Sequence, residues 1–247
     1  MSTGVLIYSF DTPKNKYSKI TKRCISHIRH HLDLPITVIG DQTFDHADSV
    51  VIQPQKHNKR RYNRQLVPWY NMERADAYWH SPYDTTILID SDYFVLSKQL
   101  LNLSHNANDI LIHNRVHDIT GRNNIQSSHE ALIPIVWATV VIFKKNNFVE
   151  KVFQMIKHVQ THYQHYKRLY RIKFDSFRND YAFAIALHQM YGQYKNEYAI
   201  PTAMHMMGAD ANILDLNFDR VKFSWKDHWA SVQNNDVHIF DKEYFDV

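Results

Sequence analysis

The first half of the chain alternates short apolar segments with segments of helical periodicity. Four segments rich in β-branched and apolar residues are typical of strands: GVLIYSF (4–10), PITVIGD (35–41), SVVIQ (49–53) and TTILID (85–90). The first and the last of them are typical of strands in the core. After the first strand, apolar residues recur every three or four positions on one face of a predicted helix: Tyr17, Ile20, Cys24, Ile28 and Leu32. A second helix is predicted over 63–79. This alternation predicts crossover connections and a mostly parallel α/β sheet with helices on both faces.

The second half of the chain predicts fewer strands and longer helices. The predicted elements are a strand over 109–113, a polar loop over 114–130, a strand over 136–143, helices over about 147–167 and 178–191, and a short strand over 237–240. Gly192 fits a C-cap that ends the second of these helices. Trp225 and Trp229 are four residues apart, a spacing that favours packing along a helix over a sugar-binding platform.

Composition and charge limit the class of protein. Of the 247 residues, 44% are hydrophobic, enough for the core of one compact domain of catalytic size. The sequence has one cysteine, Cys24, no charged-then-apolar leader, and no apolar run of the ~20 residues that a membrane span needs. We therefore expect a cytoplasmic protein without membrane contact. The net charge of +4 indicates only a mild preference for anionic partners.

Two acids end the fourth apolar segment, in the sequence Asp90-Ser91-Asp92. In an extended backbone, residues two apart point to the same side, so both carboxylates can face one point beyond the strand. They repel each other unless a cation lies between them, and Mg²⁺ or Mn²⁺ prefers such oxygen ligands together with substrate phosphates. The motif alone would fit a capped turn equally well. The apolar residues that follow it, 94–96, favour a metal site, because burying two acids without partners is costly.

In their order and spacing, these segments resemble the nucleotide-sugar glycosyltransferases of the GT-A fold. VLIYSF is similar to the family's nucleotide-binding strand, ILIDSD to its metal-binding strand, and WATVVIF (137–143) to the strand that follows the acceptor loop. The resemblance implies a GT-A-like, Rossmann-type α/β domain over 1–247 with a mostly parallel sheet. Residues 1–97 would form its nucleotide-sugar half, and 98–247 its acceptor half with a tail that contacts the metal and the diphosphate.

The resemblance also implies roles for individual residues. Asn179-Asp180-Tyr181 resembles the family's acceptor-side acidic element. In VHIFDK, His238 resembles the metal-binding histidine of the glycogenin-like members of the family, and Lys242 resembles the basic residue that contacts the diphosphate. The implied metal ligands are Asp90, Asp92 and His238, for Mn²⁺ or Mg²⁺. The implied contacts of a nucleoside-diphosphate sugar, UDP-sugar first, include Tyr8, Phe10, Asp90 and Ser91. Asp180 would orient the acceptor hydroxyl or act as general base in an inverting reaction, which the sequence does not distinguish from retention.

Two basic clusters add candidate phosphate contacts. In KHNKRRYNR (56–64), Arg64 or Arg61 is the candidate for the donor diphosphate, although a solvated basic loop would look the same. In YKRLYRIKF (166–174), cations interleave with aromatics, as in proteins that hold unstacked nucleotides, and the candidates are Lys167, Arg168 and Arg171. Compact glycosyltransferases of this type in bacteriophages modify hydroxymethyl pyrimidines in DNA. DNA is therefore the first acceptor expected, in a host cytoplasm if the protein is viral.

Other classes of function stay open. A saccharide or protein hydroxyl is the alternative acceptor. A metal-dependent nuclease would suit clustered acids beside basic patches, and a non-catalytic nucleotide-binding module would need only the donor site. The 17 histidines, His113 among them, form no recognised zinc spacing, and most of the 17 are expected at the surface.

Overall fold

The computed structural model describes residues 2–13, 15–53, 58–62, 65–69, 72–106, 109–121, 132–173, 177–192, 196–208 and 210–245. The strands are β1 (Thr3–Ser9), β2 (Ile36–Gly40), β3 (Ser49–Ile52), β4 (Asn58–Tyr62), β5 (Gln65–Trp69), β6 (Thr85–Asp90), β7 (Tyr93–Phe94), β8 (Ile110–His113), β9 (Val116–Asp118), β10 (Trp137–Lys144), β11 (Met204–Met207), β12 (Asn212–Leu216), β13 (Arg220–Trp225), β14 (His228–Gln233) and β15 (Val237–Ile239). The α-helices are α1 (Tyr17–His31), α2 (Ala77–His80), α3 (Gln99–Asn106), α4 (Asn147–Thr161), α5 (Tyr163–Leu169) and α6 (Asn179–Tyr191). Two 3₁₀ helices cover Met72–Asp76 and Glu243–Phe245.

A six-stranded sheet in the order β3-β2-β1-β6-β10-β8 lies at the centre of the fold. The strands β3, β2, β1 and β6 are parallel, and β10 runs antiparallel between β6 and β8. Smaller sheets have the orders β7-β15-β11-β9, β12-β13-β14 and β4-β5. The predicted mixed α/β fold with a mostly parallel sheet is confirmed, whereas its division at residue 97 stays a prediction.

Alternating side chains of the central strands enter two separate cores, one on each face of the sheet. On β6, Ile87 and Ile89 join the core that contains the apolar face of α1, while Leu88 joins the core of α4 and α6. Because β1 and β6 are buried on both faces, they read as continuous apolar runs and not as alternating ones. The edge strand β3 is largely exposed. No helix in the described ranges is long and apolar enough to cross a membrane.

Several local predictions were wrong. The helix predicted over 63–79 is replaced by β5, the first 3₁₀ helix and the short α2. Pro68 lies in β5, and a proline in that position lacks the N–H and clashes with the preceding turn of a helix. The helix predicted over 147–167 is divided into α4 and α5 at His162, whose ψ of 30° departs from helical geometry. The loop predicted over 114–130 contains β9 in its described part.

The tryptophan pair also differs from prediction, and His113 is an exception to the expected exposure of most histidines. Trp225 and Trp229 lie on the hairpin β13–β14, where they pair with His228 and Ser224, so neither lies on a helix. Trp229 is exposed and Trp225 packs against the core. His113 is buried, and its Nδ1 donates a hydrogen bond of 3.2 Å to the carbonyl of Thr202.

Two buried histidines predict a loss of stability in mild acid. Burial lowers the pKa values of His27 and His113 to about 4, and their Nε2 atoms have no hydrogen-bond partner among the described residues. The unfolded chain takes up protons near pH 6.5, whereas the folded protein does not until about pH 4. The free energy of unfolding should therefore fall as the pH decreases from 6.5 to 4, by up to about 3 kcal/mol for each histidine.

Denaturant unfolding of the wild type and of His27→Asn at several pH values in this range checks the prediction. Asparagine can still donate to the carbonyl of Val95, which His27 contacts at 3.2 Å, but it does not titrate. The free energy of unfolding of the variant should depend less steeply on pH than that of the wild type, by the equivalent of close to one proton. Equal slopes for both proteins would show that His27 is protonated in the folded state.

Candidate active site

The strand β6 delivers Asp90 to the carboxyl edge of the central sheet. Ser91 and Asp92 form a turn, and β7 then continues the chain. The C-terminal strand β15 pairs antiparallel with β7, which places His238 opposite Tyr93. A backbone hydrogen bond of 2.9 Å from Ile239 N to Asp92 O extends this pairing. Two segments about 146 positions apart are thereby joined at the two acids.

Asp90, Asp92 and His238 converge on one point. One ligand atom from each lies within 4.8 Å of the other two. His238 Nε2 is 3.1 Å from Asp92 Oδ1, and Lys242 Nζ donates to Asp92 Oδ2. The four residues that the resemblance assigned to the metal and the diphosphate are thus brought together at the edge of the sheet.

A buried arginine, Arg74, holds the other acid. Its Nη1 donates to Asp90 Oδ1 at 2.7 Å, and its Nη2 donates to the carbonyls of Ala138 and Thr139, the latter at 3.1 Å. The side chain is only 1% exposed. Arg74 was not among the predicted site residues, because a single arginine within an apparently helical segment has no distinguishing pattern.

Asp180 lies on the wall of a cavity beside the metal ligands. Its Oδ1 accepts a hydrogen bond of 2.9 Å from Ala138 N, and its Oδ2 pairs with Arg178 at 2.7 Å. The cavity has a volume of about 140 Å³. Its lining comprises Arg74, Asp90, Trp137, Ala138, Thr139, Arg178, Asn179, Asp180, His238 and Phe240.

Opposite electrostatic environments surround the two acids of the motif. Burial raises the pKa of Asp90, and the charge of Arg74 only partly offsets this effect. Burial would also raise the pKa of Asp92, but the charges of Lys242 and His238 outweigh it and hold that pKa well below its usual range. Asp92 is therefore the acid whose charge is stabilised by the protein itself.

The donor atoms fit a divalent cation. Two carboxylates and one imidazole suit Mn²⁺, which accepts nitrogen as well as oxygen ligands, and such sites leave the remaining positions for water and phosphate oxygens. Each carboxylate already contacts a protein cation, Arg74 or Lys242. A metal ion would therefore share Asp90 with Arg74 and Asp92 with Lys242, and it would replace the hydrogen bond between His238 Nε2 and Asp92 Oδ1.

The residues predicted to bind the donor differ in their burial and in the partners they contact. Tyr8 is the register partner of Asp90 on β1, but its ring is buried, and its hydroxyl hydrogen-bonds with His80 Nδ1 at 2.9 Å. Phe10 is buried in the core of α4 and α6, and Ser91 is buried in the turn. The side chain of Arg61 and all of Arg64 lie outside the described residues.

The second basic cluster lies on and after α5. Arg168 and Arg171 are exposed, Lys167 is half-buried, and none of the three is among the residues that line the cavity. Tyr163 and Tyr170, at either end of this helix, are buried in the core. The cluster is therefore a surface feature that is separate from the walls of the cavity.

Comparison with known proteins gives likenesses in structure only. No family model matches the sequence, and no curated protein matches it. The apo form of the glycosyltransferase GlyE of Streptococcus pneumoniae is 12% identical, with a TM-score of 0.47 over 81% of this chain, which spans 45% of GlyE. The galactosyltransferase LgtC, in complex with donor and acceptor sugar analogs, is 8% identical, with a TM-score of 0.45 over 74% of this chain and 70% of its own.

A third similar structure is TarS of S. aureus, which is 12% identical with a TM-score of 0.42, over 85% of this chain and 37% of its own. This chain thus spans less than half the length of GlyE and of TarS. At these identities and TM-scores, the function has to be inferred from the site itself.

The pair of Lys242 and Asp92 predicts a large effect on stability. Both side chains are largely buried, at 13% and 12% exposure, so Lys242→Met leaves a buried carboxylate with one fewer cation. In metal-free protein, we expect this change to lower the free energy of unfolding by about 3 kcal/mol. Arg220→Met is the control, because its pair with Asp215 is exposed and should contribute about 1 kcal/mol or less. Similar losses in the two variants, measured by urea denaturation in EDTA, would contradict the strong pairing of Asp92.

Proposed function

We propose that the protein is a metal-dependent glycosyltransferase that moves a sugar from a nucleoside diphosphate, UDP in the first instance, to an acceptor hydroxyl. The observation that supports it best is the convergence of Asp90, Asp92 and His238 within 4.8 Å at the carboxyl edge of a parallel sheet. In open α/β sheets, this edge is where ligands bind.

Asp90, Asp92 and His238 would hold Mn²⁺ or Mg²⁺. A cation bound there neutralises charge on the diphosphate as it departs from the sugar. Lys242 lies beside Asp92 and is the protein's own cation for the same diphosphate. Arg61 or Arg64 would add a guanidinium contact on the donor side, with Tyr8, Phe10 and Ser91 completing the donor site.

Asp180 is the proposed acceptor-side residue. Both of its oxygens have partners, Ala138 N and Arg178, and these bonds fix the orientation of the carboxylate. Such a carboxylate can accept a hydrogen bond from an acceptor hydroxyl and orient it for attack. A general base would need an oxygen directed at the acceptor, and both oxygens of Asp180 already have partners in the protein. Orientation of the acceptor is therefore the role that this geometry favours.

The acceptor proposed first is a hydroxymethyl pyrimidine base in DNA. Exposed Arg168 and Arg171, together with Lys167, form a cationic surface beside Tyr166. Such a surface can attract phosphates and stack an extruded base. A saccharide or protein hydroxyl is the alternative. The cavity beside Asp180, lined by Trp137 and Arg178, has the aromatic and polar groups that a sugar would need.

Two functions of other classes make different predictions. A metal-dependent nuclease would cleave DNA with Mn²⁺ in the absence of any nucleotide sugar. Two-metal cleavage also needs acids beyond Asp90 and Asp92, and the ligand group that the described residues form at this site contains no third carboxylate. A non-catalytic nucleotide-binding module would bind the donor without hydrolysing or transferring it.

Loss of one metal ligand should abolish the reaction without unfolding the protein. Wild-type protein should hydrolyse at least one member of a panel of nucleotide sugars in Mn²⁺, and EDTA should stop this hydrolysis. Asp92→Asn should reduce the rate by about 100-fold or more, because the change removes a ligand charge without changing shape. Asp215→Asn, at an exposed carboxylate, is the control and should retain activity. Wild-type turnover by Asp92→Asn at limiting Mn²⁺ would contradict the metal site. A wild type that hydrolyses no nucleotide sugar of the panel would contradict the proposed transferase activity.

The DNA acceptor is tested by charge reversal on α5. Duplex DNA affinity should fall with salt by about one unit of log–log slope for each phosphate neutralised. Changing Lys167, Arg168 and Arg171 to Glu should weaken this affinity and leave hydrolysis of the nucleotide sugar unchanged. The control variant changes Lys19, Lys22 and Lys151, which are exposed on α1 and α4, to Glu. It has the same net charge and should weaken DNA affinity less. Negligible, salt-insensitive binding of duplex DNA, together with no transfer to hydroxymethylcytosine-containing DNA, would exclude DNA as the acceptor and favour a saccharide.

A further inference from the structure

We propose that Arg74 is a positioning residue for the metal centre, which fixes the carboxylate of Asp90 so that one of its oxygens remains available for the cation. This inference rests on the proposed metal-dependent function, and it gives a role to a residue outside the sequence motif. The guanidinium contacts three elements of structure at once. It belongs to the first 3₁₀ helix, it binds the end of β6 through Asp90, and it binds the start of β10 through two carbonyls.

The bonds of the guanidinium determine which oxygen of Asp90 is used. Nη1 contacts Oδ1 at 2.7 Å, whereas Nη2 is directed to the carbonyls of Ala138 and Thr139. Because the guanidinium is planar and rigid, these bonds fix its orientation and therefore the position of the carboxylate that it contacts. Oδ2 then remains for the cation, so Asp90 would bind it through a single oxygen.

The backbone that carries Arg74 is itself held by α4. Gln160 Nε2 donates to Met72 O at 3.0 Å, and Lys157 pairs with Asp76 at 2.5 Å, so both ends of the 3₁₀ helix are tied to α4. Arg74 thus transmits the position of a packed helix to the end of β6. Without it, Asp90 would be a carboxylate beside Asp92 whose orientation is set only by mutual repulsion.

Positioning and simple electrostatics predict opposite results when Arg74 is removed. A positive charge next to a metal ligand repels the metal, so Coulomb's law alone predicts tighter metal binding after the charge is lost. If Arg74 orients the ligand, its loss should weaken binding, and groups that orient metal ligands typically contribute about 10–100-fold in affinity. The sign of the change therefore separates the two effects.

The experiment is a titration of Mn²⁺ against metal-free protein, with free Mn²⁺ measured by electron paramagnetic resonance. Arg74→Met should bind Mn²⁺ about 10-fold or more weakly than the wild type. Arg74→Lys, which keeps the charge but has no planar fork, should recover only part of the loss. Arg220→Met removes an exposed arginine and should leave the affinity unchanged. His238→Ala, which deletes a proposed ligand, provides the reference for a weakened site.

Each outcome supports or overturns the role of Arg74. Circular dichroism shows whether Arg74→Met is folded, and if it is not, Arg74→Lys decides in its place. A folded variant that binds Mn²⁺ as tightly as the wild type, or more tightly, overturns the role while the metal centre stands. A wild type that binds no Mn²⁺ overturns the metal centre of the proposed function, and the role of Arg74 with it.

Discussion

Two carboxylates at the end of a buried strand repel each other, and the organisation of this site follows from how that repulsion is relieved. Asp90 is paired with Arg74 on one side, and Asp92 contacts Lys242 and His238 on the other. The two groups of partners come from different parts of the chain. One precedes β6 and the other belongs to the C-terminal tail, so the acids connect distant elements of the fold.

The register of β15 is the second requirement of the site. Side chains alternate along a strand, so a shift of one residue would turn His238 away from Asp92. Asp236, immediately before this strand, is buried and accepts hydrogen bonds from Leu96 N at 2.9 Å and Ser97 Oγ at 2.8 Å. These bonds anchor the start of β15 to the chain that follows β7. The anchor and the pairing of His238 with Tyr93 together fix the position of the imidazole.

Sequence patterns were sufficient for the strands of the central sheet and for the two acids that follow β6. Strands such as β1 and β6 are long apolar runs that bury both faces, and Asp90 and Asp92 interrupt such a run, which makes them visible. His238 and Lys242 were found through resemblance and not through spacing, because no local pattern links a C-terminal histidine to a motif 146 residues away.

The features that sequence patterns missed depend on tertiary contacts. Arg74 becomes significant only because the chain folds its guanidinium onto β6 and β10, and an arginine in isolation resembles any other surface cation. The four-residue spacing of Trp225 and Trp229 is compatible with a helix, but a hairpin also places two residues at that separation. The segment 63–79 contains a visible signal against a helix in Pro68, because a proline in a helix interior lacks the N–H and clashes with the preceding turn.

The most direct measurement of the central claim is anomalous diffraction at a manganese-sensitive wavelength from crystals soaked in Mn²⁺. The account predicts an anomalous peak at roughly 2.0–2.3 Å from an oxygen of Asp90, an oxygen of Asp92 and a ring nitrogen of His238. It also predicts that the ion replaces the hydrogen bond between His238 Nε2 and Asp92 Oδ1. A well-occupied peak elsewhere, or no peak near these three residues with that hydrogen bond still in place, would contradict it.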